Sequence, residues 1–370
     1  MRYEHPVKQI LIATRSYWDR PKSRPAVRQN FDKVTKCGTL ALGAEVYASE
    51  TEEKLVPHTC KVRPCPSCGH RATLQWQRER WCALPDIPYV GIVFTMPDVL
   101  WPIFQKNRHL LHDLPNVGAA VIQQWAKLKY GVRVPIMVIP HTFGGELNFN
   151  SHLHILVSVG GLLESEGRWV NSLVFDEDED KGKLMRMWRF AVITYLRAAV
   201  KAKVLASDLS PRELRIRLKK QYERWWSIDI DHFASKKHFL RYAGRYVRRP
   251  PIAQHRFVKI TDREVRFWTN DKIQKRVNIS YTPEEFVATL AEHVPDRYQH
   301  GIRYFGLLAP GSRARTSAAV FALLGQQKRS RPRRLSWAYS LRRDFGVDPL
   351  VDRRGQPMRW VGRLSPRVQR

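Results

Sequence analysis

Two apolar runs, Val134-Pro-Ile-Met-Val-Ile-Pro-His-Thr142 and Phe149-Asn-Ser-His-Leu-His-Ile-Leu-Val-Ser-Val159, flank the short connection Phe143-Gly-Gly-Glu-Leu-Asn148. Their β-branched residues and the glycine pair between them predict a β-hairpin. Side chains alternate along a strand, so His152 and His154 share one face while Leu153 and Ile155 point into a core. Pairing the runs brings Val138 to Thr142 alongside and sets His141 across from His152 as a third imidazole. Glu146, at the turn, is a further candidate ligand. Two or three imidazoles with open coordination positions suit a catalytic metal that must also accept a phosphate oxygen. A His-x-His triplet also arises by chance in a chain with 13 histidines, so its surroundings have to carry the reading.

Downstream, Arg241-Tyr-Ala-Gly-Arg-Tyr-Val-Arg-Arg-Pro-Pro251 falls in a segment, 236–248, that reads as a helix. Tyr242 and Tyr246 then share a face, about 40° apart, flanked by Arg241, Arg245, Arg248 and Arg249. A phenol with a pKa of about 10 is a weak nucleophile at neutral pH, and neighbouring cations favour its phenolate. The structural alternative is a pair of core or surface tyrosines on an amphipathic helix. Upstream, Cys60-x4-Cys65-Pro-Ser-Cys68 is a zinc-type arrangement, because Cys-Pro-x-Cys is a tight turn aiming two sulfurs at one ion. Cys37, Cys60, Cys65 and Cys68 form the preferred Zn²⁺ set, with His58 or His70 as substitutes and Cys82 as a buried thiol.

The remaining chain divides around these motifs. Residues 1–36 read as a basic arm with weak structure, 37–82 as the zinc-binding region, 83–306 as the main domain and 307–370 as a basic extension. Tyr89 to Met96 looks like a buried strand, and 99–130 like two helices split by Pro115-Asn116. The acidic run Asp176 to Asp180 reads as a solvated loop. Helical stretches follow at Lys183 to Val204 and Pro211 to Trp226, then a strand pair over 255–281 and a helix over 283–293 opened by Thr282-Pro283. The densest basic run is Lys328 to Arg334, where Arg331, Arg333 and Arg334 are expected to contact phosphates.

Composition agrees with such a partner. Across 370 residues, 64 Lys and Arg against 34 Asp and Glu leave a formal charge of +30, which calls for a polyanion. Arginine forks pair with phosphate oxygens, and 12 Trp offer faces for unpaired bases. A membrane span needs roughly 20 apolar residues, and no stretch approaches that. Neither a signal peptide nor a secreted disulfide framework is visible in the sequence, so a soluble, cytoplasmic protein is expected.

Several segments together resemble the two-tyrosine HUH transposases of rolling-circle insertion sequences. They are Val93-Phe-Thr-Met-Pro-Asp98, Pro140 to Ile155, Tyr242 to Ile252, Thr282-Pro-Glu-Glu-Phe286 and Ile302-Arg-Tyr-Phe-Gly306, in the family's order. The resemblance implies an α+β fold: an HUH endonuclease-like domain with a central antiparallel sheet flanked by helices, beside a small N-terminal zinc-binding module. It further implies that His152 and His154 hold Mg²⁺ or Mn²⁺ while Tyr242 or Tyr246 attacks single-stranded DNA, leaving a 5′-phosphotyrosine and a free 3′-OH. The chain departs from the family in three places. Tyr47-Ala-Ser-Glu50 and Val351-Asp-Arg-Arg-Gly355 stand where relatives carry further cysteine pairs, and Asn150-Ser151 where His-Pro is common. Competing readings are a replication initiator or relaxase with the same chemistry, and a DNA-binding protein derived from a transposase that does not cut.

Overall fold

The computed structural model describes residues 5–270 and 276–366. It opens with helices α1 (Pro6–Ala13), α2 (Arg15–Trp18) and α3 (Pro25–Thr35), which corrects the expectation of a weakly structured arm. Proline at the start of α1 and α3 presets the helical φ at a position whose N–H would be unpaired anyway. Val7, Ile10, Leu11, Trp18, Val27, Phe31 and Val34 are all buried, and Trp18 meets Phe31 edge to face at 5.6 Å. The many Lys and Arg of this segment occupy the opposite faces and hid its amphipathic pattern from a compositional reading. A hairpin follows, β1 (Ala44–Ala48) with β2 (Glu53–Pro57), and after the cysteine loop the helix α4 (Gly69–Ala83) begins directly at Cys68.

Strand β3 (Tyr89–Phe94) follows, where the sequence indicates a buried strand. Helices α5 (Trp101–Lys106) and α6 (Leu110–Tyr130) come next, separated at Asn107 to His109 rather than at Pro115. Pro115 sits inside α6 near its N-terminal end, where its missing N–H costs the helix only the bond to the Leu111 carbonyl. Then come β4 (Pro135–Phe143) and β5 (Phe149–Ser158), the hairpin read from the sequence, and the small pair β6 (Gly160–Leu163) and β7 (Arg168–Asn171). Helix α7 (Glu179–Lys201) starts within the acidic run. Asp180 is fully buried there, accepting from Trp125 Nε1 at 2.8 Å and pairing with Lys129 at 2.6 Å, so only part of that run is a solvated loop.

Helix α8 (Pro211–Lys220) ends short of Trp226 and leads to strand β8 (Ile228–Phe233) and helix α9 (Lys236–Val247). Residues 255–281 form three strands instead of two, β9 (Phe257–Ile260), β10 (Val265–Thr269) and β11 (Val277–Tyr281). Helix α10 (Pro283–Glu292) is opened by a capping box in which Thr282 and Glu285 bond each other's backbone N–H, as the Thr-Pro-Glu-Glu pattern foretells.

With β12 (Arg303–Gly306), the strands β12-β4-β5-β3-β8 make a five-stranded antiparallel sheet. Alternation splits it into two faces. Val90, Ile92, Phe94, Leu153, Ile155 and Val157 pack under α6 and α7 against Trp125 and Trp188. The other face, with Tyr89, Met137, Ile139 and Leu156, packs under α9. Gly118 lets α6 approach closely, since a Cβ there would stand 2.5 Å from Leu153 Cδ1.

Past β12, helices α11 (Pro310–Leu323) and α12 (Trp337–Phe345) precede β13 (Arg359–Leu364), which pairs antiparallel with β1 at the other end of the chain. Asp352 accepts hydrogen bonds from Ser49 Oγ at 2.7 Å and Thr51 Oγ1 at 3.0 Å. The two segments that depart from the family's cysteine pairs are therefore neighbours in space. Among the described residues no helix is long and apolar enough to cross a membrane.

Candidate metal and tyrosine site

The register of β4 against β5 places His141 opposite His152. His141, His152 and His154 converge, with ligand nitrogens within 4.8 Å of one another. His141 and His154 are buried and His152 half-buried. Burial pushes all three imidazoles below the ordinary histidine range, aided by their neighbours: His154 and His152 act on His141, His152 on His154, and Arg249 on His152 and His154. They are thus neutral at physiological pH, with lone pairs free.

Backbone carbonyls fix two of the tautomers. A carbonyl only accepts, so His141 donates from Nε2 to Tyr246 O at 2.9 Å and His152 from Nδ1 to Asn150 O at 2.9 Å. Nδ1 of His141 and Nε2 of His152 remain as ligating atoms. Both ring nitrogens of His154 are buried without a partner. A buried imidazole whose lone-pair nitrogen has no donor, beside two oriented ones, is costly unless an ion takes that lone pair, so the donor set fits a divalent metal. Glu146 is exposed on the turn, and its carbonyl accepts from Tyr281 OH, so it is not part of the group.

Helix α9 lies across this cluster. The Tyr246 ring stacks on His154, centroids 3.8 Å apart and planes 25° apart, and Tyr242 follows one turn earlier with its ring 5.0 Å from that of Tyr246. Tyr246 is half-buried, whereas Tyr242 is buried against Phe233. Burial raises the Tyr242 phenol well above its usual range, with Tyr246 and Asp231 adding to the effect. Space for that ring comes from Gly91, where a Cβ would stand 3.0 Å from Tyr242 Cε1; Asp231 is the register partner of Gly91. Arg245 lies over the Tyr242 ring at 5.2 Å, and Arg241, Arg248 and Arg249 are exposed around the helix. Of the C-terminal arginines, Arg331 pairs with Glu79 on α4, while Arg333 and Arg334 are exposed.

The four cysteines Cys37, Cys60, Cys65 and Cys68 also converge. Sulfur separations are 3.7 Å for Cys37 to Cys68, 3.7 Å for Cys60 to Cys68 and 3.8 Å for Cys65 to Cys37. A tetrahedron with zinc–sulfur bonds of about 2.3 Å has edges of about 3.8 Å, so the set is shaped for Zn²⁺. His58 is held by the Leu42 carbonyl and Glu45, and His70 stands outside the sulfur cluster; neither substitutes for a cysteine. Cys82 is half-buried in the last turn of α4 rather than fully buried.

Some participants gave no sequence signal. His5 accepts from the Lys8 N–H through Nδ1, so Nε2 carries the proton and faces Cys65 Sγ at 3.4 Å. Arg63, inside the cysteine loop, donates to Pro140 O at 3.3 Å. Such long-range partners have no fixed spacing from the residues they serve.

Comparison with known proteins gives matching results. Residues 136–316 match the family described as "Putative transposase", and residues 10–96 match the "Transposase zinc-binding domain". The latter begins well before Cys37, in keeping with the packed N-terminal helices. The chain is 32% identical over 289 residues to the transposase for insertion sequence element IS801 of Pseudomonas savastanoi pv. phaseolicola, covering 75% of this chain and 69% of that protein. It is 27% identical over 314 residues to the putative transposase y4qJ of Sinorhizobium fredii (strain NBRC 101917 / NGR234), covering 81% and 79%. No solved structure matches.

Proposed function

This chain belongs to the IS91-type transposases with an N-terminal zinc-binding domain, and from that premise we propose that it cuts and rejoins single-stranded DNA at element ends through a 5′-phosphotyrosine intermediate. The observation that carries this reading is the stacking of Tyr246 on His154, which sets a phenol against three neutral imidazoles. His141, His152 and His154 would hold Mg²⁺ or Mn²⁺, which when bound makes the phosphorus more electrophilic and offsets charge on its oxygens. Arg248 and Arg249, both exposed, would neutralise neighbouring phosphates.

In the cleavage step the Tyr246 oxygen forms a bond to phosphorus and loses its proton. The bond from phosphorus to the 3′ oxygen breaks, and that oxygen takes up a proton to leave a 3′-OH. One phosphodiester replaces another, so no nucleotide cofactor is needed. Tyr242, one turn away, would serve the second transfer, with Asp231 beside it as a proton acceptor. Water is excluded from the His141 and His154 rings by the α9 packing that buries them.

The test is a labelled single-stranded terminus incubated with the protein and Mn²⁺. A covalent protein–DNA adduct is expected, abolished by Tyr242→Phe combined with Tyr246→Phe and by His152→Ala. Tight binding with no adduct under any divalent metal would replace this reading with that of a DNA-binding protein that does not cut.

A further inference from the structure

The loop that carries three of the zinc ligands, Cys60 to Cys68, does not stand apart from the histidine and tyrosine site. Between Cys60 and Cys65, the half-buried Arg63 reaches out of the loop and donates through Nη2 to the carbonyl of Pro140, the residue before His141. Its other terminal nitrogen lies against Gly301, where a Cβ would stand 2.9 Å away. Loss of water and the nearby Arg248 lower this guanidinium to about 10, so it is still a cation at neutral pH. On the other side the loop meets the segment that follows the tyrosine helix. Ser67 Oγ accepts from Gln254 Nε2 at 3.2 Å, and a Cβ at Gly69 would stand 2.7 Å from the Arg248 carbonyl oxygen.

Contact continues along α4, which leaves the loop at Cys68. Gln77 Nε2 donates to the Leu240 carbonyl at 2.8 Å, and a Cβ at Gly244 would stand 2.3 Å from that same nitrogen. Helix α9 is therefore held in its middle and at its C-cap by one continuous piece of chain whose start is a zinc ligand. That piece also touches the histidine strand. Between α9 and that strand, the hydrogen bond from His141 to the Tyr246 carbonyl is a further polar link.

We propose that the zinc loop is a positioning element for the tyrosine and histidine groups, with Arg63 holding the histidine strand and α4 holding the tyrosine helix. The inference rests on the functional reading above. Zinc held by the four thiolates would add its binding free energy to the folded loop and so fix the loop's course. A fixed loop fixes the distance between the phenols and the imidazoles, which is the distance that strand transfer depends on. Arg63 bonds the Pro140 carbonyl rather than an imidazole. It acts through the backbone next to a metal ligand, and losing such a supporting contact costs roughly ten- to a hundredfold in metal affinity or rate.

The experiment uses the full chain. First, zinc is stripped with a chelator and backbone hydrogen exchange is followed without added divalent metal. Exchange is expected to rise together over 60–69, 136–143 and 236–248; a rise confined to 37–68 overturns the proposal. Second, Arg63→Ala is expected to keep its zinc while Mn²⁺ affinity, read by electron paramagnetic resonance, falls about tenfold or more. The rate of adduct formation should fall in parallel with DNA affinity little changed, and Arg63→Lys should recover part of both. An Arg63→Ala chain with zinc, Mn²⁺ affinity and adduct rate all like the parent also overturns the proposal. Should that variant not fold, the exchange experiment on the parent decides. A parent chain that forms no adduct at all overturns the functional reading, and exchange and Mn²⁺ affinity then decide the brace alone.

Discussion

Tyr242 and Tyr246 occupy one face of one helix, yet their surroundings differ. The Tyr246 ring rests on His154 and is partly open, while Tyr242 is enclosed by Phe233 and Tyr246, and burial raises its phenol. This asymmetry predicts an order of action. Tyr246→Phe should lower first-strand adduct formation by roughly a thousandfold or more. Tyr242→Phe should leave that first adduct largely intact and block the second transfer, seen as an adduct that accumulates without joined product. Loss of the first adduct in Tyr242→Phe alone would reverse the order. At this scale much of the arrangement was legible. Period two on a strand put His152 and His154 together, hairpin pairing added His141, and period 3.6 paired the phenols. Arg63, His5 and Asp231 were not legible, because each arrives from a distant segment with no periodicity to mark it.

At the scale of elements, the sequence marks the hairpin, β3, α9 and α10 through alternation, turn glycines and caps. It misleads where one signal hides another. Pro115 reads as a break but lies near the start of α6, where a missing N–H is tolerated, and the Arg and Lys of the first 36 residues obscure the apolar stripes of α1 and α3. The pairing of β13 with β1 supplies a pH prediction. Glu45 on β1 accepts from Trp360 Nε1 and Arg363 Nε on β13 and meets His58. Those bonds, led by Trp360, lower its carboxyl to about 2 from an ordinary 4.5. A depressed carboxylate stabilises the fold above its unfolded value and loses that contribution as pH falls through its folded value. The β13 contact should therefore hold above about pH 4.5 and weaken between there and about pH 2, ahead of any change in α6 and α7. Exchange of the β13 amides across that window checks it, and Glu45→Gln should flatten the response.

For the whole molecule, part of the charge of +30 sits on exposed arginines around α9 and along the run from Lys328 to Arg334 that crosses α4. Each phosphate these residues neutralise releases a counterion. If six to ten phosphates are engaged, affinity for single-stranded element ends should fall on the order of a thousandfold between roughly 50 and 200 mM salt. A titration of binding against salt measures this, and a flat response would mean that few phosphates are contacted.

What the sequence alone determined was local chemistry: which strand carries the imidazoles, which helix carries the phenols, which cysteines can share an ion, and that the partner is a polyanion. Those follow from backbone periodicity and residue type, which act over a few positions. Tertiary structure alone decided that α9 lies over the histidine strand, that the zinc loop bonds Pro140 while the helix it leads into bonds α9, and that β13 closes on β1 some 300 residues away, with the bond from Thr51 to Asp352 spanning 301 positions. Contacts of that kind arise from packing two sheet faces and pairing distant strand edges, and the energy that selects them depends on shape and burial in three dimensions rather than on spacing along the chain.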